Sequence, residues 1–167
     1  MLKVCADHPS VLKLVDYFED ASFIHLVTEL IEGPDLFDYI KQVKVDEMSL
    51  KEIMKKLLNG LGYLHNLGAV HRDLKLENIM IGISGDETKV ITPKLIDFGL
   101  SIVLCPGEQT KDVCGTLAYC SPELVKKHAY DFKTDIWSLG IVAYSVLRGK
   151  LPFVAESKKE TVQNIIT

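Results

Sequence analysis

Along the chain, apolar positions change period twice, and those changes divide it. Val11-Leu12-Lys13-Leu14-Val15 and Phe23-Ile24-His25-Leu26-Val27 are short β-prone runs around the polar turn Glu19-Asp20-Ala21-Ser22, which predicts a hairpin. His8-Pro9-Ser10 breaks whatever precedes it, because a residue before proline is pushed away from the helical region. Glu32-Gly33-Pro34-Asp35 is a second breaker, and Leu36-Phe37-Asp38-Tyr39-Ile40 opens a short helix. From Ser49 to Leu67 the period becomes helical: Leu50, Ile53, Met54, Leu57, Leu58, Leu61 and Leu64 form one stripe. Ser49 and Glu52 have capping-box spacing, and Gly68 suits a left-handed C-terminal position. Ile79-Met80-Ile81 and Lys94-Leu95-Ile96 read as strands joined by the turn-rich segment 84–88. Residues 101–121 lack periodicity and read as an exposed loop. Ile136 to Leu147 is apolar nearly all round, which predicts a helix buried on every side until Gly149 and Pro152 stop it. Strands come first and helices dominate afterwards, so the expected class is α+β with a mostly helical body.

Composition narrows the picture only slightly. The 167 residues are 47% hydrophobic and 25% charged, which excludes a disordered chain, a collagen or a coiled-coil rod. Nineteen basic against 23 acidic residues give a net charge of −4, the wrong sign for a protein held mainly by nucleic-acid phosphates. Mean hydropathy is +0.15, yet no run reaches the length of a membrane span, and the first residues contain no secretory core. Cysteines at 5, 105, 114 and 120 make no CxxC pair or zinc spacing, so reduced thiols in the cytoplasm or nucleus are expected.

The polar groups that matter are concentrated in two segments, His71-Arg72-Asp73-Leu74-Lys75-Leu76-Glu77-Asn78 and Asp97-Phe98-Gly99. Each places a carboxylate where regular structure meets a loop, the usual place from which catalytic groups are presented. Asp73 can take a proton from a hydroxyl, and Lys75 can neutralise phosphate charge. The Asn78 amide oxygen and the Asp97 carboxylate are hard oxygen ligands suited to Mg²⁺. A lone Asp or Lys is usually a solvated surface group; five matching residue types at fixed offsets are not explained that way.

These segments resemble the catalytic-loop and magnesium-loop signatures of eukaryotic protein kinases, H-R-D-L-x-x-x-N and D-F-G. His8-Pro9-Ser10-Val11 resembles the turn after that family's small-lobe helix, and Thr28-Glu29-Leu30-Ile31 its gatekeeper and hinge. Cys114-Gly115-Thr116 followed by Ser121-Pro122-Glu123 resembles the end of an activation segment. Asp135-Ile136-Trp137-Ser138-Leu139-Gly140 resembles the start of the central helix. The resemblance implies a partial small lobe, two strands and hinge over 1–31, and most of a helical large lobe over 32–167, cut at both ends. No glycine-rich phosphate loop or V-A-I-K-like lysine strand precedes Asp73, and Glu123 lacks the arginine that such a residue usually meets.

The same resemblance implies roles for individual residues. Asp73 would be the base or hydroxyl-orienting group, Lys75 would contact the transferring phosphoryl, and Asn78 and Asp97 would hold Mg²⁺ on ATP. Adenine would hang from the backbone of Glu29 and Ile31 above Met80, with Thr28 leaving an accessible back pocket. Lys75 and Thr116 point to the serine/threonine branch and to protein substrates. The run from Glu29 to Asp38, with Leu100-Ser101, looks most like the calcium/calmodulin-dependent kinase group, in which acids such as Asp35 and Glu77 read an arginine upstream of the target; calcium-sensor regulation would lie outside this chain. Asp112 stands where relatives often carry an activating phosphothreonine and would pair with Arg72, with Thr110 a nearby phosphorylation candidate. The alternative reading is a non-catalytic kinase-like regulatory or binding protein without the phosphate-binding loop and lysine.

Overall fold

The computed structural model describes residues 8–84 and 90–167. The turn expected over 84–88 and Cys5 therefore fall wholly or partly outside the described residues. In chain order the elements begin with β1 (Leu14–Glu19) and β2 (Ile24–Thr28), then α1 (Leu36–Gln42) and α2 (Glu47–Asn66). β3 (Ala69–Val70), a 3₁₀ turn at Leu76–Asn78, β4 (Ile79–Ser84), β5 (Val90–Leu95) and β6 (Ile102–Val103) follow. A second 3₁₀ turn at Leu117–Tyr119 leads to α3 (Pro122–Val125), α4 (Lys133–Arg148) and α5 (Lys158–Ile166). This is the mixed α+β architecture that the sequence pattern predicts.

The hairpin is present but shifted. β1 begins at Leu14, and Val11 instead bridges Leu95 in parallel, with Leu12 N–H donating to the Leu95 carbonyl at 2.9 Å. The expected run 11–15 therefore divides between two partners. Asp20 closes the hairpin turn by accepting from the N–H groups of Ser22 and Phe23, an Asx turn that needs a short acid there. Val15, Phe18, Phe23, Ile24 and Leu26 are all more than half exposed on this ribbon.

The core lies where α2 packs on the β4–β5 hairpin and on α4. Leu50, Ile53, Leu57, Leu61 and Leu64 are buried along α2, whereas Leu58 stays exposed at the edge of the stripe. The cap differs from the expected one. Asp46 accepts from Ser49 N–H at 2.7 Å and the helix starts at Glu47, because a carboxylate three residues ahead of Ser49 outcompetes the hydroxyl for the free helix donors. Gly68 follows the helix end with φ 74°, as its position predicts.

Residues 101–121 are not simply an exposed loop. Ile102–Val103 pairs antiparallel with Ala69–Val70, and Tyr119, Cys120 and Ser121 are buried. Pairs of two residues are too short for any periodicity to reveal them. Cys105 is exposed and Cys120 buried, and burial pushes the Cys120 thiol up to about 11.

The helix expected to be buried on every side is not. Leu139, Val142 and Val146 are in the core, but Ile136, Tyr144 and Leu147 are exposed. That open face, with Trp137 stacked on Phe153 at 5.7 Å, borders an apolar groove in which Glu123 also lies. Among the described residues the Glu123 side chain has no polar partner. No helix of the described residues is long and apolar enough to cross a membrane.

Candidate active site

The two polar segments predicted to carry the chemistry converge. The catalytic loop leaves β3 at His71, and the Asp97-Phe98-Gly99 loop leaves β5; the two strands belong to different sheets. Ile96 N–H donates to the Asn78 carbonyl at 3.0 Å, which ties the two loops together. Behind them, His71 is almost completely buried, its Nε2 bonded to the Ile96 carbonyl at 2.9 Å and its ring 5.0 Å from that of Phe98. His71 therefore serves as packing between the loops.

Asp73 is the hub. Its Oδ1 accepts from the Thr116 N–H at 3.0 Å and the Thr116 hydroxyl at 2.8 Å. Its Oδ2 accepts from Lys75 Nζ at 2.8 Å and Asn78 Nδ2 at 3.2 Å. Lys75 Nζ also reaches Thr116 Oγ1 at 3.2 Å. The Asp73 side chain keeps only 10% of its surface open, so a carboxylate in this cage of donors is held in one orientation. Lys75 is held above the ordinary lysine range, first by its bond to Asp73, then against burial by the nearby charges of Asp73, Glu77 and Asp97. Its ammonium thus faces three carboxylates, a lysine placed where anionic charge gathers.

Asn78 spends its amide N–H groups on the Asp73 carbonyl and carboxylate, which leaves its amide oxygen without a protein donor among the described residues. Asp97 uses one carboxylate oxygen to accept the Gly99 N–H at 3.1 Å. An amide oxygen and a carboxylate oxygen left without protein donors among the described residues are hard-oxygen donors of the kind that suits Mg²⁺.

Both loops hold their functional residue in strained backbone. Arg72 (φ 68°) and Asp97 (φ 59°) are two of the three non-glycine residues with left-handed φ among those described. Such conformations cost about 1–3 kcal/mol each and persist where surrounding bonds over-determine them. For Arg72 the restraint is Asp135, at the N-terminus of α4 and wholly buried. Its carboxylate accepts from the N–H groups of His71 and Arg72, both at 2.9 Å, and meets His65 Nε2 at 3.0 Å. The sequence reading placed Asp135 only at a helix start and gave it no part in the site. A carboxylate opening the most apolar helix was the signal, since a buried charge needs partners.

The activation segment is laid across this loop. Gly115 has φ 89°, and a Cβ there would come within 2.5 Å of the Arg72 carbonyl oxygen, so only glycine lets the segment lie so close to the catalytic loop. Arg72 Nη1 meets Asp112 Oδ2 at 3.1 Å, and Arg72 Nε donates to the Leu100 carbonyl at 2.6 Å. The Tyr130 hydroxyl donates to the Asp112 carbonyl at 2.7 Å and so fixes the backbone at that point. Burial works against the Arg72 charge, yet hydrogen bonds to Tyr130 and Asp112 hold it above its ordinary value. The expected Arg72–Asp112 pair is thus formed. Tyr130 is a further member that the sequence reading missed, because its 18-residue separation from Asp112 leaves no local signal.

The remaining candidates lie on the rim. Glu29 ends the hairpin, Ile31 lies in the connection to α1, and Met80 is paired with Asp35 in an isolated antiparallel bridge. Gly33 (φ 146°) runs so near β4 that a Cβ would fall on the Ile81 carbonyl oxygen. Asp35 caps α1 by accepting from Asp38 N–H at 2.8 Å, so one of its oxygens is already committed. Glu77 is exposed in the 3₁₀ turn after Lys75.

A loop-held carboxylate, a lysine bridging it to a threonine and a paired Asn/Asp oxygen set agree with the comparisons with known proteins. The model of the protein kinase domain matches residues 1–167. The chain belongs to the protein kinase family. It is 38% identical over 167 residues to sperm motility kinase 2B of Mus musculus, covering 99% of this chain and 33% of that protein. It is 36% identical over 160 residues to a probable myosin light chain kinase of Dictyostelium discoideum, covering 95% of this chain and 40% of that protein. The chain thus spans about a third of the length of the curated relatives it matches. Protein kinases as a family act on protein substrates and use ATP and Mg²⁺.

Proposed function

We propose that this chain is the catalytic part of a serine/threonine protein kinase of the calcium/calmodulin-dependent type, transferring the ATP γ-phosphoryl group to protein hydroxyls. The observation that carries this reading is the triangle of Asp73, Lys75 and Thr116, with Thr116 Oγ1 only 2.8 Å from the carboxylate. A substrate hydroxyl entering beside Thr116 donates its proton toward Asp73 as its oxygen bonds to the γ-phosphorus. The bond from that phosphorus to the β-phosphate oxygen breaks, and ADP carries away the electron pair. Lys75 is placed to offset charge on the phosphoryl oxygens as they pass. Mg²⁺ held by Asn78 and Asp97 would neutralise and bridge the ATP phosphates. The adenine edge is assigned to the backbone of Glu29 and Ile31 over Met80.

The kinase names of both relatives support the class. Support for the finer group is the run from Glu29 to Asp38 together with Leu100-Ser101. The acids at Asp35 and Glu77 favour an arginine upstream of the target residue. The test uses the natural full-length protein with Mg·ATP and paired serine peptides, one with the upstream arginine and one with alanine there. Phosphoserine should form, with kcat/KM at least about tenfold higher for the arginine peptide, as a charge-assisted bond of about 1.5–3 kcal/mol requires. Mg·ADP binding without transfer to any peptide would instead establish a non-catalytic kinase-like protein.

Asp112 gives this reading a regulatory expectation. The Arg72 side chain is only 9% exposed and Asp112 is the carboxylate that meets it, so loop order should not require phosphorylation. Asp112→Ala should lower kcat/KM about five- to tenfold in enzyme free of phosphate on Thr110, with Asp112→Glu retaining most activity. Unchanged activity of Asp112→Ala would reduce the pair to a surface contact, since a solvent-exposed carboxylate often contributes under about 1 kcal/mol.

A further inference from the structure

The sequence reading uses only the backbone of Glu29, yet its side chain is the most connected group on the rim. Glu29 Oε1 accepts from Lys13 N–H at 2.9 Å and from Lys94 Nζ at 2.8 Å, while Glu29 N–H donates to the Lys13 carbonyl at 3.0 Å. Lys94 and Glu29 are 16% and 26% exposed at their side chains, a largely shielded ion pair. It joins the base of the hairpin to β5, three residues before Asp97.

The register shows what that lysine stands beside. Lys94 lies directly opposite Met80 in the antiparallel β4–β5 pair, and opposite residues share a face of the sheet. Met80 is the residue assigned to the floor under adenine, and Glu29 to the edge that adenine would meet. Lys94 therefore spans from the floor strand pair to the hinge.

On the far side the hinge is fastened again. Ile83 N–H donates to the Glu32 carbonyl at 3.0 Å and Ile81 N–H to the Pro34 carbonyl at 2.8 Å. Between the two fastenings only Leu30 and Ile31 are free of them, and Leu30 is 86% exposed. The second fastening is backbone on backbone and is present whatever the side chains. At the first, Leu12 N–H on the Leu95 carbonyl joins the hairpin base to β5 through backbone, and the Lys94–Glu29 pair adds the link from β5 to the hinge residue itself.

We propose that Lys94 and Glu29 form a hinge clamp. The pair sets the spacing between the hinge backbone and the β4–β5 floor, and so positions the backbone groups that bind nucleotide. Lys94 is a positioning residue: it acts through Glu29 and touches neither the γ-phosphoryl nor the proton in flight. The proposal rests on the kinase reading above and adds to it a determinant of nucleotide affinity separate from the transfer step.

The experiment measures Mg·ADP affinity by calorimetry, and peptide phosphorylation kinetics, on the natural full-length protein carrying Lys94→Met, Lys94→Arg, Glu29→Gln or the Lys94→Met/Glu29→Gln pair. Lys94→Met should weaken Mg·ADP binding and raise KM for ATP about fivefold, equivalent to about 1 kcal/mol, with the change confined to nucleotide parameters. Lys94→Arg should restore affinity. Glu29→Gln, which keeps an acceptor for Lys13 N–H, should resemble Lys94→Met, and the double variant should be no weaker than either single one. Additive losses, nucleotide affinity unchanged in both single variants, or a change in kcat at unaltered affinity would each overturn the clamp while leaving the kinase reading intact. Failure of the unsubstituted protein to bind Mg·ADP would overturn both. Should Lys94→Met not fold, the Glu29→Gln and Lys94→Arg affinities decide the matter.

Discussion

Asp73→Asn is expected to lower kcat for peptide phosphorylation by roughly 10²–10⁴-fold, the contribution of a positioned general base, while Mg·ADP binding stays within about twofold. The substitution keeps the volume and removes the property that matters. All four bonds to this side chain run inward, from the Thr116 N–H, the Thr116 hydroxyl, Lys75 and Asn78. A carboxylate accepts all four; an amide must turn its NH₂ toward one pair of donors and cannot take a proton. The loss should therefore fall on kcat and leave KM for ATP nearly unchanged, since no nucleotide contact is assigned to Asp73. Steady-state kinetics with calorimetric Mg·ADP binding separate the two. Residual activity above about a tenth of the unsubstituted enzyme would show that Asp73 is not the proton acceptor.

Asp135→Ala should produce the largest loss of stability of any single substitution considered, ~3–5 kcal/mol, read as a fall in the denaturant midpoint of the natural full-length protein. The carboxylate is wholly buried and holds the N–H groups of His71 and Arg72 together with His65. Removing it orphans two backbone donors beneath the catalytic loop and frees the left-handed backbone at Arg72 to relax. Whatever folded protein survives should have lost activity, because Asp73 is the next residue. Asp135→Asn is the informative companion: its oxygen can satisfy one donor, so it should fall between the two. A change under about 1 kcal/mol for the alanine variant would mean that water replaces the carboxylate and that the loop is held by other contacts.

These two residues show how unevenly the site could be read from the chain. Asp73, Lys75 and Asn78 lie within six residues and Asp97 in its own short motif, so their chemistry was legible from residue type and their joint use from the resemblance of the two segments to kinase signatures. Asp135 is 62 residues beyond Asp73 and sits in a segment whose hydropathy says only helix. His65, Tyr130 and the Glu29–Lys94 pair were equally silent, because a side chain that reaches a partner dozens of residues away leaves no periodic trace. Capping was misread at Ser49 for a related reason: two short polar residues competed for one helix end, and only the backbone geometry chose Asp46. The expectation of an all-round buried α4 failed because hydropathy reports what a face prefers, not what covers it; Ile136, Tyr144 and Leu147 remain open among the described residues.

By itself the sequence determined the order and type of the long elements, the α+β class and the four polar groups on which phosphoryl transfer would rest. Those follow from local signals: period, turn chemistry and two short segments whose residues resemble kinase signatures. Only the tertiary structure decided which carboxylate cages Asp73's loop from below, which hydroxyl pins the backbone at Asp112, and which lysine reaches Glu29. Each of those choices is a contact between segments far apart in the chain. Its energy exists only once burial has excluded water and fixed the partners at hydrogen-bond distance.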